Sequence, residues 1–114
     1  MFWQSTVVQI PELSAVHDFD ALLEKDLAVV FKHSASCPVS WLAHAKVSQF
    51  LDRQPQVPVY LVPVRKRREI SRHIAERCGV EHESPQVIVI RRGKVVADAS
   101  HGAITAEFLA EAVR

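Results

Sequence analysis

Cys37 stands in the stretch Ser36-Cys37-Pro38-Val39-Ser40, after the apolar run Leu27 to Phe31 and at the head of a helical pattern. A thiol placed where a strand ends and a helix begins meets unpaired backbone N–H groups and the positive end of the helix dipole. Both favour the thiolate, the form of cysteine that attacks a disulfide. Where a two-thiol redox motif carries its second cysteine, this chain has Ser40. The pattern therefore points to thiol–disulfide exchange performed with one sulfur. Ser40 cannot resolve a mixed disulfide, but its hydroxyl is expected to donate a hydrogen bond to the Cys37 thiolate.

The other reactive side chains read differently. Cys78 shares a helical face with Ile70 and Ile74, which makes it a structural core thiol rather than a partner for Cys37. His33, Cys37 and His44 match no zinc-ligand spacing, so no metal site is expected. His33 is expected at a strand end beside the reactive loop, where it can tune the thiolate, and His44 on a helix surface. Arg65-Lys66-Arg67-Arg68 is the one charge run and reads as a solvated turn; its functional alternative is recognition of carboxylates by arginine. Glu69, Glu76, Glu81 and Glu83 follow it with no aromatic residues between, which argues against nucleic acid. Trp3 and Trp41 read as packing residues, Trp41 with the alternative of lining a substrate groove.

The 114 residues suit one domain, and an apolar share of 48% beside 24% charged residues is that of an ordinary folded protein. A formal net charge of +1 gives no field that would draw nucleic acid or a membrane surface. Met1 to Thr6 has neither the basic start nor the apolar core of a signal peptide, and no apolar run has the length to span a bilayer. With only two cysteines, the expectation is a reduced, cytoplasmic protein.

A thiol at the end of a strand has to be held by a sheet, and the chain has one to offer. Thr6 to Ile10 reads as an edge strand closed by Pro11, and Ser14 to Lys25 as a helix with Ser14 or Asp18 as N-cap. Leu27 to Phe31 suits a strand buried on both faces. Pro38 to Leu51 predicts a helix with Val39, Leu42, Ala43, Val47, Phe50 and Leu51 on its buried face, and Pro38 fits the first turn. Val57 to Val62 is a second strand, pushed to an edge by Pro58 and Pro63. Arg68 to Cys78 is a helix closed by Gly79. Val87 to Ile90 and Val95 to Ala97 form a hairpin across Arg92-Gly93-Lys94, and Thr105 caps a final helix. The order is a parallel βαβ unit, a helix, a hairpin and a helix, with helices on both faces of a mixed sheet. This α/β order is that of the thioredoxin fold, over residues 1–114 as one domain.

The motifs allow a narrower resemblance. Cys37-Pro38-Val39-Ser40 resembles the one-thiol form of the glutaredoxin active site. Together with Phe31-Lys32-His33-Ser34, His82-Glu83-Ser84-Pro85-Gln86 and Ala99-Ser100-His101-Gly102-Ala103-Ile104-Thr105, it is similar to the monothiol bacilliredoxins, over a stretch from about Phe19 to the C-terminus. Ser36 and Val39 replace the threonine and isoleucine common in that family. The resemblance implies a cis Ser84–Pro85 bond opposite the cysteine, catalysis by Cys37, and a thiol or disulfide substrate held by Ser36, Pro38, Ser40, Ser84 and Pro85. It implies no resident cofactor. The co-substrate would be a low-molecular-weight thiol such as bacillithiol, its methylated relative or glutathione. Its clients would be proteins capped with bacillithiol during oxidative stress. Two rivals remain: an iron–sulfur carrier of the one-cysteine glutaredoxin type, whose usual glycine and phenylalanine are replaced here by Pro38 and Val39, and a thioredoxin-like binding module with a passive cysteine.

Overall fold

Apolar side chains at every position from Leu27 to Phe31 leave a strand no face to turn to water. In the computed structural model, which describes residues 10–114, that run becomes the inner strand β1 (Leu27–His33). The Thr6–Ile10 strand expected from sequence lies, apart from Ile10, outside the described residues. β1 pairs in parallel with β2 (Val59–Pro63) and antiparallel with β3 (Gln86–Arg91), and β3 pairs with β4 (Lys94–Ser100). Among the described residues the sheet order is β2-β1-β3-β4, so the strand flanked by prolines is the outer one of these four, as expected. Its outer side is partly covered: Leu61 N–H donates to the Pro11 carbonyl at 2.8 Å, and Leu13 N–H to the Leu61 carbonyl at 2.9 Å.

The alternation of a strand sorts the apolar residues to two faces. Val29, Phe31, Val87 and Val89 pack with Ala43, Val47 and Phe50 of α2 (Pro38–Arg53) and with Leu109 of α4 (Ala106–Ala112). Ala28, Val30, Ile88 and Ile90 pack with Phe19 and Leu22 of α1 (Val16–Leu22) and with Ile70 and Ile74 of α3 (Arg68–Cys78). The helices thus lie two on each face of a thioredoxin-type sheet. Among the described residues, no helix is long and apolar enough to cross a membrane.

Caps and turns set the boundaries. α1 is shorter than its periodicity suggests, and its N-cap is Ala15. Asp18 acts from inside the first turn instead, accepting from the N–H groups of Ser14 at 3.1 Å and Ala15 at 3.0 Å. Those bonds, Ser14's first, hold its carboxyl below the usual range. Gly79 closes α3 in the left-handed region at φ 67°, and Thr105 Oγ1 caps α4 by accepting from Phe108 N–H at 2.9 Å. The hairpin turn has Arg92 at φ 53° and Gly93 at φ 79°. A Cβ at Gly93 would lie 3.0 Å from the Leu23 carbonyl oxygen, so this turn has room only for glycine. β4 runs past the expected Ala97 to Ser100, because its mixed, half-exposed sequence carries a weak strand signal.

Leu109 is fully buried where α4 meets the sheet. Leu109→Ala is expected to lower stability by about 3 kcal/mol, read as a lower urea midpoint with an unchanged slope.

Candidate active site

Where β1 runs out, the chain turns through Ser34, Ala35 and Ser36 and starts α2 at once. Cys37 is the N-cap, extended at φ −113° and ψ 120°, with Pro38 in the first turn. Its N–H donates to the Ser34 carbonyl at 3.1 Å, and its carbonyl accepts from Ser40 N–H at 3.1 Å and Trp41 N–H at 3.3 Å. The side chain is half-buried. A helix start offers the positive end of its dipole, so an anion on this sulfur lies where the backbone attracts one.

α2 reaches back twice to hold the turn. Ser40 is fully buried, and its Oγ accepts from Ser34 N–H at 3.1 Å. Among the described residues, Ser40 makes no hydrogen bond to the Cys37 sulfur; its partner is the loop backbone, in place of the thiolate contact expected from sequence. Trp41 Nε1 donates to the Ala35 carbonyl at 2.8 Å. The Trp41 ring also meets His33 edge-on, with centroids 4.6 Å apart. His44 joins this cluster, 5.3 Å from His33 and 5.1 Å from Trp41, so it is not the free surface residue that helical spacing suggested.

His33 is buried, and both its ring nitrogens lack a partner among the described residues. Burial, reinforced by His44 and opposed by the nearby Ser40 backbone, pulls its pKa down; burial alone does so for His44. The helical periodicity misassigned two side chains of α2. Val39 and Leu42 are 43% and 68% exposed. They line an apolar groove of about 330 Å³ with Ala43, Ile104 and His101.

The Ser84–Pro85 bond is cis, as the resemblance implied. Lys32 pairs with Gln86, so Pro85 stands at the sheet end from which the reactive loop departs. Gln86 is buried and braces the approach to it, donating to the Glu81 carbonyl at 3.0 Å. The Pro85 carbonyl accepts from His101 N–H at 3.0 Å. His101, at φ 53°, was not singled out from sequence, although it lies inside one of the family motifs. Ser84 Oγ is buried without a partner among the described residues. On the other side of the reactive loop, the exposed Arg65 donates from Nη1 to Ser36 Oγ at 2.9 Å, and Ser36 Oγ is 3.2 Å from Ser34 Oγ.

Ser36, Cys37, Pro38 and Ser40 thus share one loop–helix junction, and Ser84 and Pro85 stand at the start of the neighbouring strand pair. Cys78 is elsewhere, half-buried at the end of α3 against the α1 face. Burial pushes its thiol up, opposed by Lys32 and Arg77, which agrees with a structural role.

Lys32 was also missed. It is fully buried, donates to the Ser71 carbonyl at 3.2 Å, and lies 3.0 Å from His82 Nδ1. A charged Lys32 makes that nitrogen the acceptor and places the ring proton on Nε2. Ser71 Oγ is also 3.0 Å from His82 Nδ1. Burial pulls the Lys32 pKa down to about 8, with Cys78 opposing. His82 is pulled down by burial and by Lys32, against Glu83. Lys32 and His82 each lie inside one of the family motifs; beyond that, the sequence showed only a lone lysine closing an apolar run.

Two pH responses follow from these groups. His33, His44 and His82 have lowered pKa values when folded, so below about 6.5 the unfolded chain binds more protons. Thermal midpoints should therefore fall on acidification from neutral pH, and His33→Phe should reduce that fall. Lys32 titrates near 8 when folded against 10.5 when free, so across that window the unfolded chain again holds the extra proton. Its contribution raises stability as the pH climbs through the window. Denaturation at stepped pH should show Lys32→Met lacking that rise.

Comparisons with known proteins agree with this architecture. A family model described as monothiol bacilliredoxin BrxC matches residues 9–109. A solved structure described as a candidate oxidoreductase with a thioredoxin fold is 32% identical, over 92% of this chain and 94% of that one, with a TM-score of 0.86. Thioredoxin from Trypanosoma brucei brucei is 16% identical, over 100% of this chain and 96% of that one, with a TM-score of 0.73. Fasciola hepatica thioredoxin is 22% identical, over 91% of this chain and 96% of that one, with a TM-score of 0.70. These two share the fold.

Proposed function

The chain belongs to the monothiol bacilliredoxin family and is a thiol–disulfide oxidoreductase; from that premise we propose that Cys37 removes bacillithiol, or a related small thiol, from S-capped proteins. The observation that carries this reading is the position of Cys37 as N-cap of α2, half-buried, with serine where a resolving cysteine would stand. The Cys37 thiolate attacks the small-thiol sulfur of a client mixed disulfide. A new S–S bond forms to Cys37, the old one breaks, and the client sulfur leaves as a thiolate that takes a proton from water. A second small thiol, as thiolate, then attacks the cap. It leaves as a symmetrical disulfide, and Cys37 is reduced again. Exchange of this kind runs best with an attacking thiol whose pKa lies near ambient pH.

The surrounding residues have defined parts in this reading. Ser40 and Trp41 hold the loop so that the sulfur stays at the helix start, rather than touching the substrate themselves. Pro38 keeps the first turn free of a competing N–H. Ser84 and Pro85 offer backbone beside the incoming disulfide, and Ser36 borders it. No resident cofactor takes part; the small thiol is a co-substrate.

A client protein capped with bacillithiol, followed by mass spectrometry and turnover, tests the proposal. Wild type should release reduced client and gain one small-thiol adduct on Cys37. Cys37→Ser should lower turnover at least a thousandfold, on the order of losing a nucleophile, whereas Cys78→Ser should retain it. An adduct confined to Cys78 would overturn the reading, and a brown iron–sulfur dimer from anaerobic purification would favour the carrier alternative.

A further inference from the structure

We propose that the cavity on the Arg65 side of Cys37 binds a negatively charged group of the small thiol, with Arg65 as the residue that selects for that charge. This rests on the reading that Cys37 receives a small-thiol cap. The cavity measures about 400 Å³, and its walls include Glu12, His33, Ser34, Ser36, Arg65 and Lys66. That volume lies within the range of small-molecule sites. Ser36 directly precedes Cys37, so a molecule bonded to the sulfur needs to extend by only one residue to enter the cavity.

The walls have the chemistry of an anion site. Arg65 is anchored by one N–H to Ser36 Oγ at 2.9 Å. A guanidinium carries five N–H donors in a planar fork, so the anchored group keeps donors for a carboxylate. Lys66 adds a second cation and Glu12 a single anion. Among the described residues, no ion pair joins Glu12 to either of them. His33, 4% exposed, also lines the cavity.

The test compares two small symmetrical disulfides, dithiodiglycolate with carboxylates and hydroxyethyl disulfide without charge. In each reaction the Cys37 thiolate attacks one sulfur, the probe's S–S bond breaks, and the other half leaves as a thiolate. Rates of Cys37 capping are read by mass spectrometry for wild type, Arg65→Ala and Arg65→Lys. The anionic-to-neutral rate ratio should fall about fivefold in Arg65→Ala, the factor for an exposed charge pair near 1 kcal/mol. Arg65→Lys, which keeps the charge and loses the fork, should fall between the two. Because the ratio cancels any change in the loop itself, an unchanged ratio in Arg65→Ala overturns the site while leaving the capping reading standing. A wild-type protein that neither disulfide caps overturns the capping reading, and the site with it.

Discussion

The turn from Ser34 to Cys37 is held from inside by the helix that follows it. Ser40 is buried with its hydroxyl on the Ser34 N–H, and Trp41 spans the same turn to the Ala35 carbonyl. These two contacts add side-chain ties to the backbone bonds that the Cys37 carbonyl accepts from Ser40 and Trp41. The Ser40 hydroxyl is buried, and a buried group that loses its partner is left unsatisfied at a cost of about 1–3 kcal/mol. A residue that replaces a second redox cysteine therefore serves as a structural clamp on the first one.

The sheet gives that loop two unlike backs. Toward α2 and α4, β1 turns Val29, Phe31 and His33, and the His33 ring continues into Trp41 and His44. Toward α1 and α3, the same strand turns Val30 and then Lys32, whose amine ties β1 to Ser71 on α3 and to His82 ahead of Ser84–Pro85. Adjacent residues on one strand thus reach two different supports of the site. A buried amine in that place ties the approach to Pro85 to the strand that feeds the loop. Removing one member of such a network leaves charge or dipole uncompensated, which is why its cost exceeds that of a surface pair.

Around Cys37 the surface is asymmetric. One flank carries the exposed Val39 and Leu42 beside an apolar groove; the other carries Arg65 and Lys66 beside a polar cavity. In the proposed reaction, the cap's charged end lies on the Arg65 flank.

Much of this was legible in the residues. The unbroken apolar run at Leu27–Phe31 required a strand covered on both sides, Thr105 and Gly79 marked helix ends by local geometry, and Cys37-Pro38 before a helical pattern placed a thiol at a helix start. These are short-range matters of pattern, caps and backbone freedom, decided by neighbours in sequence. Tertiary structure alone decided the rest. Helical spacing put Val39 and Leu42 with the core, but α2 rolls so that Ser40 faces inward and accepts from the loop N–H at Ser34. His44 looked like a surface residue until β1 brought His33 against it, and Arg65 stays exposed as its charge run suggested, while the crossover from β2 carries it to Ser36. Lys32 gave no sign that it would be buried, since its partners lie 39 and 50 residues away along the chain. What depends on such distant pairings has no local signature, because the groups that satisfy a buried polar atom are chosen by the fold.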